Sequence, residues 1–330
     1  MKAAYIVETG PAEKIIYGDL PDPVPTGSQV LVKVGAVSIN PIDTYIRNGA
    51  PYWELPKPYI LGSDLAGQVV ALGPDAKRFK VGERVWGSNQ GLMGRQGVFS
   101  ELAAIDEAWL YHTPNEVSDE AVAASALVGI TAHLGLFNHA QIQPGETLFV
   151  HGGTGGVGSM VVQMAKIAGA RVITTGGCDE RCAKAKALGA DVAINYKTQN
   201  VAEEVKRAAP NGVNVFWETL REPNFDEIVA MLAERGRIVL MAGRDARPAF
   251  PVGPFYVKGC TLTGFVMFKA SPIEQRHAAD EIGRWLAAGK LKAQIGTVLP
   301  LSQAAAAHKL QEENTLHKAG SNAGKIVLKV

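Results

Sequence analysis

Residues 151–158 (HGGTGGVG) have the glycine spacing of a phosphate-binding turn. The apolar run at residues 147–150 precedes the turn, and apolar residues then recur at the period of a helix. Gly153 allows the tight turn, Gly155 lets the backbone approach a pyrophosphate, and Gly158 lets the helix pack closely on a sheet. The free N–H groups and the dipole at the helix start attract phosphate charge. This strand–turn–helix context predicts a dinucleotide site.

Length and composition indicate an ordinary globular protein of two domains. The chain has 330 residues, of which 47% are hydrophobic and 20% are charged. A formal net charge of +1 gives no reason to expect nucleic acid or an anionic membrane as a partner. We expect no apolar run of membrane-spanning length and no export signal. The three cysteines (Cys178, Cys182 and Cys260) suit a reducing compartment, so we expect a cytoplasmic protein.

The pattern of apolar residues changes along the chain. The first third is typical of short strands separated by glycine and proline, at residues 2–8, 30–39, 65–72, 84–86 and 101–105. From about Ser125, strands and helices alternate. The predicted strands are residues 147–150, 171–175, 191–195, 213–217 and 237–241. Helices are predicted after the glycine turn and at residues 179–188, 201–209 and 225–234, and Asn224 with Glu227 three positions on marks the start of the last helix as a capping box. This alternation predicts an α/β domain with a doubly wound parallel sheet.

About the last fifth of the chain is expected to return to the first domain. Residues 261–268 predict another strand, and Ser271 with Glu274 three positions on predicts a capped helix that reaches about Ala288. The last residues, 325–330, are strand-like and are expected to join the first domain. The expected division is therefore a β-rich domain of residues 1–124 and 269–330 and a nucleotide-binding domain of residues 125–268.

The residues after the second strand of the nucleotide domain indicate which cofactor binds. NAD-binding domains usually place an acidic residue there for the adenosine ribose, but here Gly176 and Gly177 follow the strand. Arg181 could pair with a 2′-phosphate, and Tyr196 could line the same pocket. A solvated charge on a helix face is the alternative role of Arg181, and Asp179 could still turn toward a ribose. NADPH is the favoured cofactor.

The chain resembles the zinc-free quinone oxidoreductases, the ζ-crystallin-like group of the medium-chain dehydrogenase/reductase superfamily. The resemblance covers nearly the whole length. It is carried by the glycine turn and by residues 40–49 (NPIDTYIRNG), 60–67 (ILGSDLAG), 81–85 (VGERV), 129–132 (GITA), 187–190 (ALGA) and 194–196 (INY). It implies a GroES-like catalytic domain, a Rossmann nucleotide-binding domain, and a cleft between the two.

Comparison with the zinc-dependent branch of that superfamily predicts that no metal is bound. The positions that match its catalytic zinc ligands are Asn40, Ser63 with Asp64, and Leu127. Leucine cannot ligate a metal and asparagine is a poor zinc ligand, so a three-ligand site is not available. Residues 86–101, which match the structural zinc lobe, contain no cysteine. Cys178 and Cys182 are interpreted as ordinary thiols.

Hydride donation from NADPH to an activated acceptor remains feasible without zinc. Negative charge develops on the acceptor oxygen as hydride arrives, so fixed hydrogen-bond donors would lower the barrier. The candidates for catalysis are Asn40, Tyr45 and Tyr52. Tyr52 is the preferred substrate-side donor, and Asn40 is expected to orient the nicotinamide or its ribose. Simple packing is the alternative role of both tyrosines.

The resemblance also implies the cofactor contacts. Besides Asn40, Gly153, Gly155 and Gly158, the matching positions are Thr131, Gly156, Val157, Gly177, Arg181, Tyr196, Gly243, Phe265 and Val266. Phe265 and Val266 are equally compatible with the core of a strand. His151 has no evident base or nucleophile partner in the sequence, and we expect no catalytic role for it.

Three functions stay open. The first is reduction of quinones with NADPH, and the second is NADPH-dependent reduction of the C=C bond of enals, enones or enoyl thioesters. The third is a non-catalytic role as an NADPH-binding structural or RNA-binding protein. The expected partner is a small electrophilic acceptor. Because members of this family commonly pair through edge strands, a homodimer is expected at the predicted strand 261–268.

Overall fold

The computed structural model describes residues 1–50, 53–315 and 324–330. The strands in these residues are β1 (Lys2–Ile6), β2 (Ile16–Asp19), β3 (Gln29–Ile39), β4 (Tyr59–Ile60), β5 (Asp64–Leu72), β6 (Arg84–Gly87), β7 (Leu102–Asp106), β8 (Leu110–His112), β9 (Thr147–Val150), β10 (Arg171–Gly176), β11 (Val192–Asn195), β12 (Val213–Glu218), β13 (Leu232–Leu240), β14 (Thr261–Gly264), β15 (Ile295–Pro300) and β16 (Lys325–Lys329). The helices are α1 (Pro41–Arg47), α2 (Asp119–His133), α3 (Gly156–Ile167), α4 (Asp179–Ala187), α5 (Val201–Ala208), α6 (Phe225–Met231), α7 (Val252–Val257), α8 (Pro272–Ala287) and α9 (Ala304–Thr315). The chain divides into unit 1 (residues 1–130 and 270–330) and unit 2 (residues 131–269).

Unit 1 is built around the long strand β3. Its main sheet has the order β15-β16-β3-β5-β6-β8, with β7 also paired to β3, and a smaller sheet has the order β2-β1-β4. Val30, Val32 and Val34 of β3 are buried at every second position, as expected for a strand packed on one core. The C-terminal strand β16 pairs antiparallel with the end of β3. The predicted return of the chain end to the first domain is confirmed.

Unit 2 is a doubly wound sheet, as predicted. Its six strands have the order β11-β10-β9-β12-β13-β14, and every neighbouring pair is parallel. This is the Rossmann strand order, in which the direction of winding reverses between β9 and β12. Phe149, Ile173, Phe216 and Ile238 form part of its buried apolar core. Such continuous burial is what parallel strands covered on both faces require.

The capping patterns predicted two helix starts correctly. The Ser271 side chain accepts from the N–H of Glu274, and the Glu274 carboxylate accepts from the N–H of Ser271, which is the reciprocal capping box at the start of α8. Asn224 caps α6 by accepting from the N–H of Glu227. Both patterns are local, so no tertiary contact had to be known to predict them.

Two predicted boundaries in unit 2 were wrong. The helix expected over residues 225–234 ends at Met231, because Leu232 is already paired with Val213 in the parallel ladder of β13. The strand expected over 261–268 ends at Gly264, opposite Leu240, where its partner strand β13 also ends. In both cases the neighbouring strand, rather than the local sequence, sets the boundary.

The helical segment Asp119–His139 corrects the expectation that no apolar run approaches membrane-spanning length. Its 21 residues include an 18-residue window of mean hydropathy 1.5, so by length and composition it could cross a bilayer. However, 78% of that window is buried inside the protein. Burial of this extent is typical of a core helix, whose residues are apolar all round because protein surrounds them.

His308 makes the stability of unit 1 depend on pH. The imidazole on α9 is fully buried, and neither ring nitrogen has a hydrogen-bond partner in the described part of the chain. Burial, together with the Arg47 charge, lowers the pKa of His308 from 6.5 to about 3. Below pH 6.5 the unfolded chain therefore binds a proton at this histidine, whereas the folded chain keeps the imidazole neutral. The free energy of unfolding consequently falls as the pH decreases toward 3.

We expect His308 to lower the free energy of unfolding by about 2 kcal/mol between pH 7 and pH 5. Thermal unfolding of the wild type and of His308→Leu at the two pH values checks this, because the leucine variant should lose that part of the pH dependence. His112→Asn, at an exposed histidine of the same unit, is the control and should keep it. An equal loss of stability at pH 5 in the wild type and His308→Leu would contradict the assignment.

Candidate functional site

Two positions of the glycine loop in unit 2, Gly153 and Gly158, admit only glycine. A Cβ atom at Gly153 would lie 2.4 Å from Thr174 Oγ1, and one at Gly158 would lie 2.3 Å from the carbonyl oxygen of Gly152. Both distances are far below van der Waals contact, so the loop packs directly on β10 and on itself. A Cβ atom at Gly155 would meet only the Gly152 oxygen, at 3.3 Å. The first two contacts explain two of the three glycines by packing, and the third position leaves space for a ligand.

The start of α3 offers an anion site. Gly155, the N-cap residue of α3, is extended, and no side chain in the described residues caps the helix there. The N–H groups of the first turn, which contains Gly156 and Val157, are therefore available to a ligand together with the positive end of the helix dipole. The loop itself is held by the N–H of Gly152, which donates to Thr175 Oγ1 at 3.0 Å. This geometry fits the phosphates of a dinucleotide.

The end of β10 carries no free carboxylate. A Cβ atom at Gly177 would lie 2.6 Å from the hydroxyl oxygen of Tyr196, so these two predicted cofactor residues are adjacent. Arg181 lies in α4, the helix that follows Gly177, and is partly buried. The Asp179 carboxylate accepts a hydrogen bond from Asn195 Nδ2 at 2.7 Å. One oxygen of the Asp179 carboxylate is therefore engaged by Asn195 in this structure.

The remaining predicted contacts of unit 2 lie at several places. Gly243 has φ +80°, and a Cβ atom there would lie 2.5 Å from the carbonyl oxygen of Arg221, so the loop after β13 needs glycine to pack on the loop after β12. Phe265 lies beyond the end of β14 and stacks on His139 at 4.5 Å between ring centroids. Val266 is exposed, and Thr131 is buried in α2.

In unit 1 a cluster of buried polar side chains surrounds Asp64. One carboxylate oxygen accepts from Asn40 Nδ2 at 2.7 Å and from Ser38 Oγ at 3.0 Å. The other accepts from Ser88 Oγ at 2.6 Å and from the N–H of Leu127 at 3.2 Å. Burial raises the pKa of Asp64, and the Lys325 charge and these hydrogen bonds oppose that rise.

Lys325 is a member of this cluster that the sequence did not indicate. Its ammonium group is buried on β16, donates to the carbonyl oxygen of Ile39 at 2.7 Å and to Asn40 Oδ1, and lies 3.9 Å from Asp64. The Asn40 amide is therefore oriented by two charges, with its oxygen toward the ammonium and its nitrogen toward the carboxylate. Burial lowers the pKa of Lys325, whereas the charges of Asp64 and Asp43 raise it.

Asp43 extends the same cluster through Ser63. The Asp43 carboxylate accepts from Ser63 Oγ at 2.7 Å and from the N–H of Asn40 at 2.8 Å. Burial raises its pKa to about 7, although these hydrogen bonds oppose the rise. Tyr45, on the same short helix α1, is partly buried. Tyr52 lies outside the described residues.

These side chains do not fit a catalytic zinc ion. Asn40 is held between Asp64 and Lys325. The Ser63 hydroxyl donates a hydrogen bond to Asp43, and Leu127 offers only a backbone N–H. A zinc site needs three or four ligand atoms free to converge on the metal, and a neighbouring ammonium group repels a second cation. The polar atoms of these side chains instead form hydrogen bonds within the cluster.

Comparison with known proteins places the chain in a family. Residues 26–115 match the GroES-like domain of alcohol dehydrogenases, and residues 156–284 match the zinc-binding dehydrogenase domain. The human quinone oxidoreductase is 30% identical over 330 residues, covering 99% of this chain and 97% of that protein. The quinone oxidoreductase of Pseudomonas aeruginosa is 31% identical over 308 residues, covering 91% and 92%.

Solved structures agree with this assignment. An NAD-dependent alcohol dehydrogenase superimposes with a TM-score of 0.90 at 30% identity, covering 100% of both chains. The Escherichia coli quinone oxidoreductase in complex with NADPH does so with a TM-score of 0.87 at 25% identity, again covering 100% of both. A 2-haloacrylate reductase gives 0.84 at 26%, covering 100% of this chain and 99% of that chain.

The fold and both matched domains define a medium-chain dehydrogenase/reductase, with a GroES-like domain and a Rossmann domain. Within that superfamily the chain belongs to the quinone-oxidoreductase-like family. The matched domain family is named for zinc binding. In this chain, however, the positions that we matched to the catalytic zinc ligands hold the Asp64 cluster.

Replacing Lys325 by methionine should destabilise unit 1 by roughly 3–5 kcal/mol, because Asp64 would lose its buried counter-ion. Lys329→Met is the matched control, since Lys329 lies on the same strand but pairs with Glu120 at the surface, and its replacement should lower stability far less. Urea unfolding of the two variants measures the difference. Equal losses would mean that the Lys325 ammonium group is not needed to offset the buried carboxylate.

Proposed function

We propose that this chain is an oxidoreductase that reduces quinones with NADPH, by hydride transfer and without a metal. The observation that carries the proposal is the Asp64 cluster, in which Lys325 and Asn40 take up the polar atoms at the zinc-ligand positions. Alcohol oxidation through a metal-bound alkoxide needs a metal site that these residues do not form. The quinone oxidoreductases among the relatives support the acceptor class.

The residues of unit 2 would hold the cofactor, which supplies the hydride when it is bound. The backbone N–H groups of Gly156 and Val157 would bind the pyrophosphate. Gly155 would let the backbone approach it, and Gly153 and Gly158 allow the loop to pack closely. Tyr196 and Arg181 would line the adenosine end with Gly177. NADPH is preferred over NADH because the end of β10 lacks a ribose-binding carboxylate and Asn195 holds Asp179.

The donors proposed for the acceptor oxygen lie in unit 1. Asn40 gives one amide hydrogen to Asp64, and its second N–H is the one proposed for the substrate side or the nicotinamide. Tyr45 and Tyr52 are the proposed phenol donors, with Tyr52 preferred. An amide or a phenol can donate to developing negative charge without changing its own protonation state. Contacts of Thr131, Gly243, Phe265 and Val266 with the cofactor also belong to this proposal.

Substitution of Arg181 by alanine tests the cofactor assignment. We expect the Kd for NADPH to rise roughly 10- to 100-fold, because a charge-assisted hydrogen bond to the 2′-phosphate is lost, while the Kd for NADH stays unchanged. Fluorescence titration of each reduced cofactor measures both constants. Arg207→Ala, at an exposed arginine of α5, is the control and should alter neither. An equal loss for NADPH and NADH would contradict the role of Arg181.

Steady-state turnover with NADPH distinguishes the acceptor classes. We expect a higher kcat/KM for a 1,4-benzoquinone than for a 2-alkenal. Reduction of a C=C bond is the second candidate, supported by the likeness to a 2-haloacrylate reductase. A tenfold or greater preference for the alkenal would reverse the order of the two. Tight NADPH binding with no turnover across a broad acceptor panel would favour the non-catalytic role.

We also propose that two copies of the chain pair through the edge of unit 2. Strand β14 ends the sheet, and Leu262 on it is exposed together with Val252, Tyr256 and Val257 of α7. An exposed apolar edge is a surface that pairing covers, and an isologous contact suits a second copy. Sedimentation velocity should show a dimer at micromolar concentration and a monomer for Leu262→Lys. A wild-type monomer would refute the pairing.

A cytoplasmic location, with neither membrane nor nucleic acid as partner, is proposed from composition alone.

A further inference from the structure

His151 and Glu218 meet at the point of unit 2 where the winding of the sheet reverses. His151 directly follows β9, and Glu218 is the last residue of β12, the two central strands on either side of the reversal. Open α/β sheets bind their ligands outside the carboxyl ends of the strands at this point. His151 Nδ1 lies 2.9 Å from Glu218 Oε1, and the Glu218 side chain is buried. No partner for His151 is evident in the sequence, and in the structure its partner lies 67 residues away.

Further hydrogen bonds join the same two segments. The N–H of Leu220 donates to Glu218 Oε1 at 2.6 Å, and the Thr219 hydroxyl donates to the carbonyl oxygen of His151 at 3.1 Å. The N–H of His151 donates to the carbonyl oxygen of Trp217 at 3.3 Å. We call His151, Glu218, Thr219 and Leu220 the crevice clasp. It ties the residue that leads into the glycine loop to the segment that follows β12.

The clasp is packed between aromatic rings and buries a polar atom at a cost. The rings of Phe149 and Phe216 pack edge-on against the imidazole, with centroid distances of 4.9 and 5.4 Å. Glu218 Oε2 is buried and has no hydrogen-bond partner in the described parts of the chain. An apolar pair would fill this place in the sheet without burying an unsatisfied carboxylate oxygen. A polar pair retained at such a cost indicates a role other than stability.

We propose that the crevice clasp holds the glycine loop in its phosphate-binding form and so sets the affinity of unit 2 for a dinucleotide. Gly152 and Gly153 follow His151 directly, so fixing His151 fixes the start of the loop. A loop that is already ordered binds more tightly, because binding does not have to supply the ordering free energy. His151 and Glu218 are positioning residues here. The inference depends on dinucleotide binding, which is one part of the proposed function, and is independent of the acceptor.

The double variant His151→Leu with Glu218→Leu separates this role from stability. Replacing both members of a buried polar pair by apolar residues is often neutral or stabilising, whereas His151→Leu alone leaves the carboxyl group without its donor. We expect the double variant to melt at or above the wild-type Tm and yet to bind NADPH and NADH about tenfold or more weakly, as a lost hydrogen bond would predict. Fluorescence titration and thermal unfolding give the two readouts without any turnover.

His151→Asn is the conservative control, since the asparagine Nδ2 takes nearly the place of the histidine Nδ1 and can still donate to Glu218. It should bind both cofactors with a Kd close to that of the wild type. A folded double variant with wild-type Kd values would overturn the proposal, as would an asparagine variant as weak as the double one.

The outcomes for the clasp and for the proposed function can be told apart. The double variant of the clasp should weaken the binding of NADPH and NADH alike, whereas Arg181→Ala affects NADPH alone. A wild type that binds NADPH but reduces no quinone removes the proposed function and leaves the clasp supported by its own titrations. A wild type that reduces quinones while the double variant binds normally removes the clasp alone. A wild type that binds neither nucleotide removes both.

Discussion

The buried Asp64 carboxylate is the interaction on which unit 1 depends. It accepts hydrogen bonds from β3, from the end of β6 and from α2, and it lies 3.9 Å from the Lys325 ammonium group of β16. Burial raises the pKa of Asp64 because desolvation disfavours the charged form, and these partners oppose that rise. Segments far apart in the chain are therefore brought to one point by a single carboxyl group and must all be correctly placed.

The same point is the basis for the proposed reaction without a metal. The fold is shared with an alcohol dehydrogenase and with quinone oxidoreductases, so it does not by itself define the reaction. In the proposed function a few side chains decide it instead, because Asn40, Ser63 and Leu127 occupy the positions that we matched to zinc ligands. Lys325 lies beside Asn40 as a buried group that donates hydrogen bonds.

Much of the fold could be predicted from local signals. The glycine loop, the capping residues at Asn224 and Ser271 and the alternation of strands and helices each depend on residues a few positions apart, and the structure contains all of them. The ends of β13 and β14 could not be predicted, since the neighbouring strand sets them. Lys325 and Glu218 were missed for a related reason. Their partners lie 285 and 67 residues away, and nothing in the adjacent sequence marks them.

The pairing of β16 with β3 has a consequence for biosynthesis. Unit 2 is one continuous stretch, residues 131–269, so all of its strands are synthesised before residues 270–330 of unit 1. Unit 1 is discontinuous, and the Asn40 amide is held by Lys325 only after β16 has been made. Domains generally fold as units during synthesis. The nucleotide-binding part can thus fold first, while β3 of the GroES-like part lacks its partner strand β16.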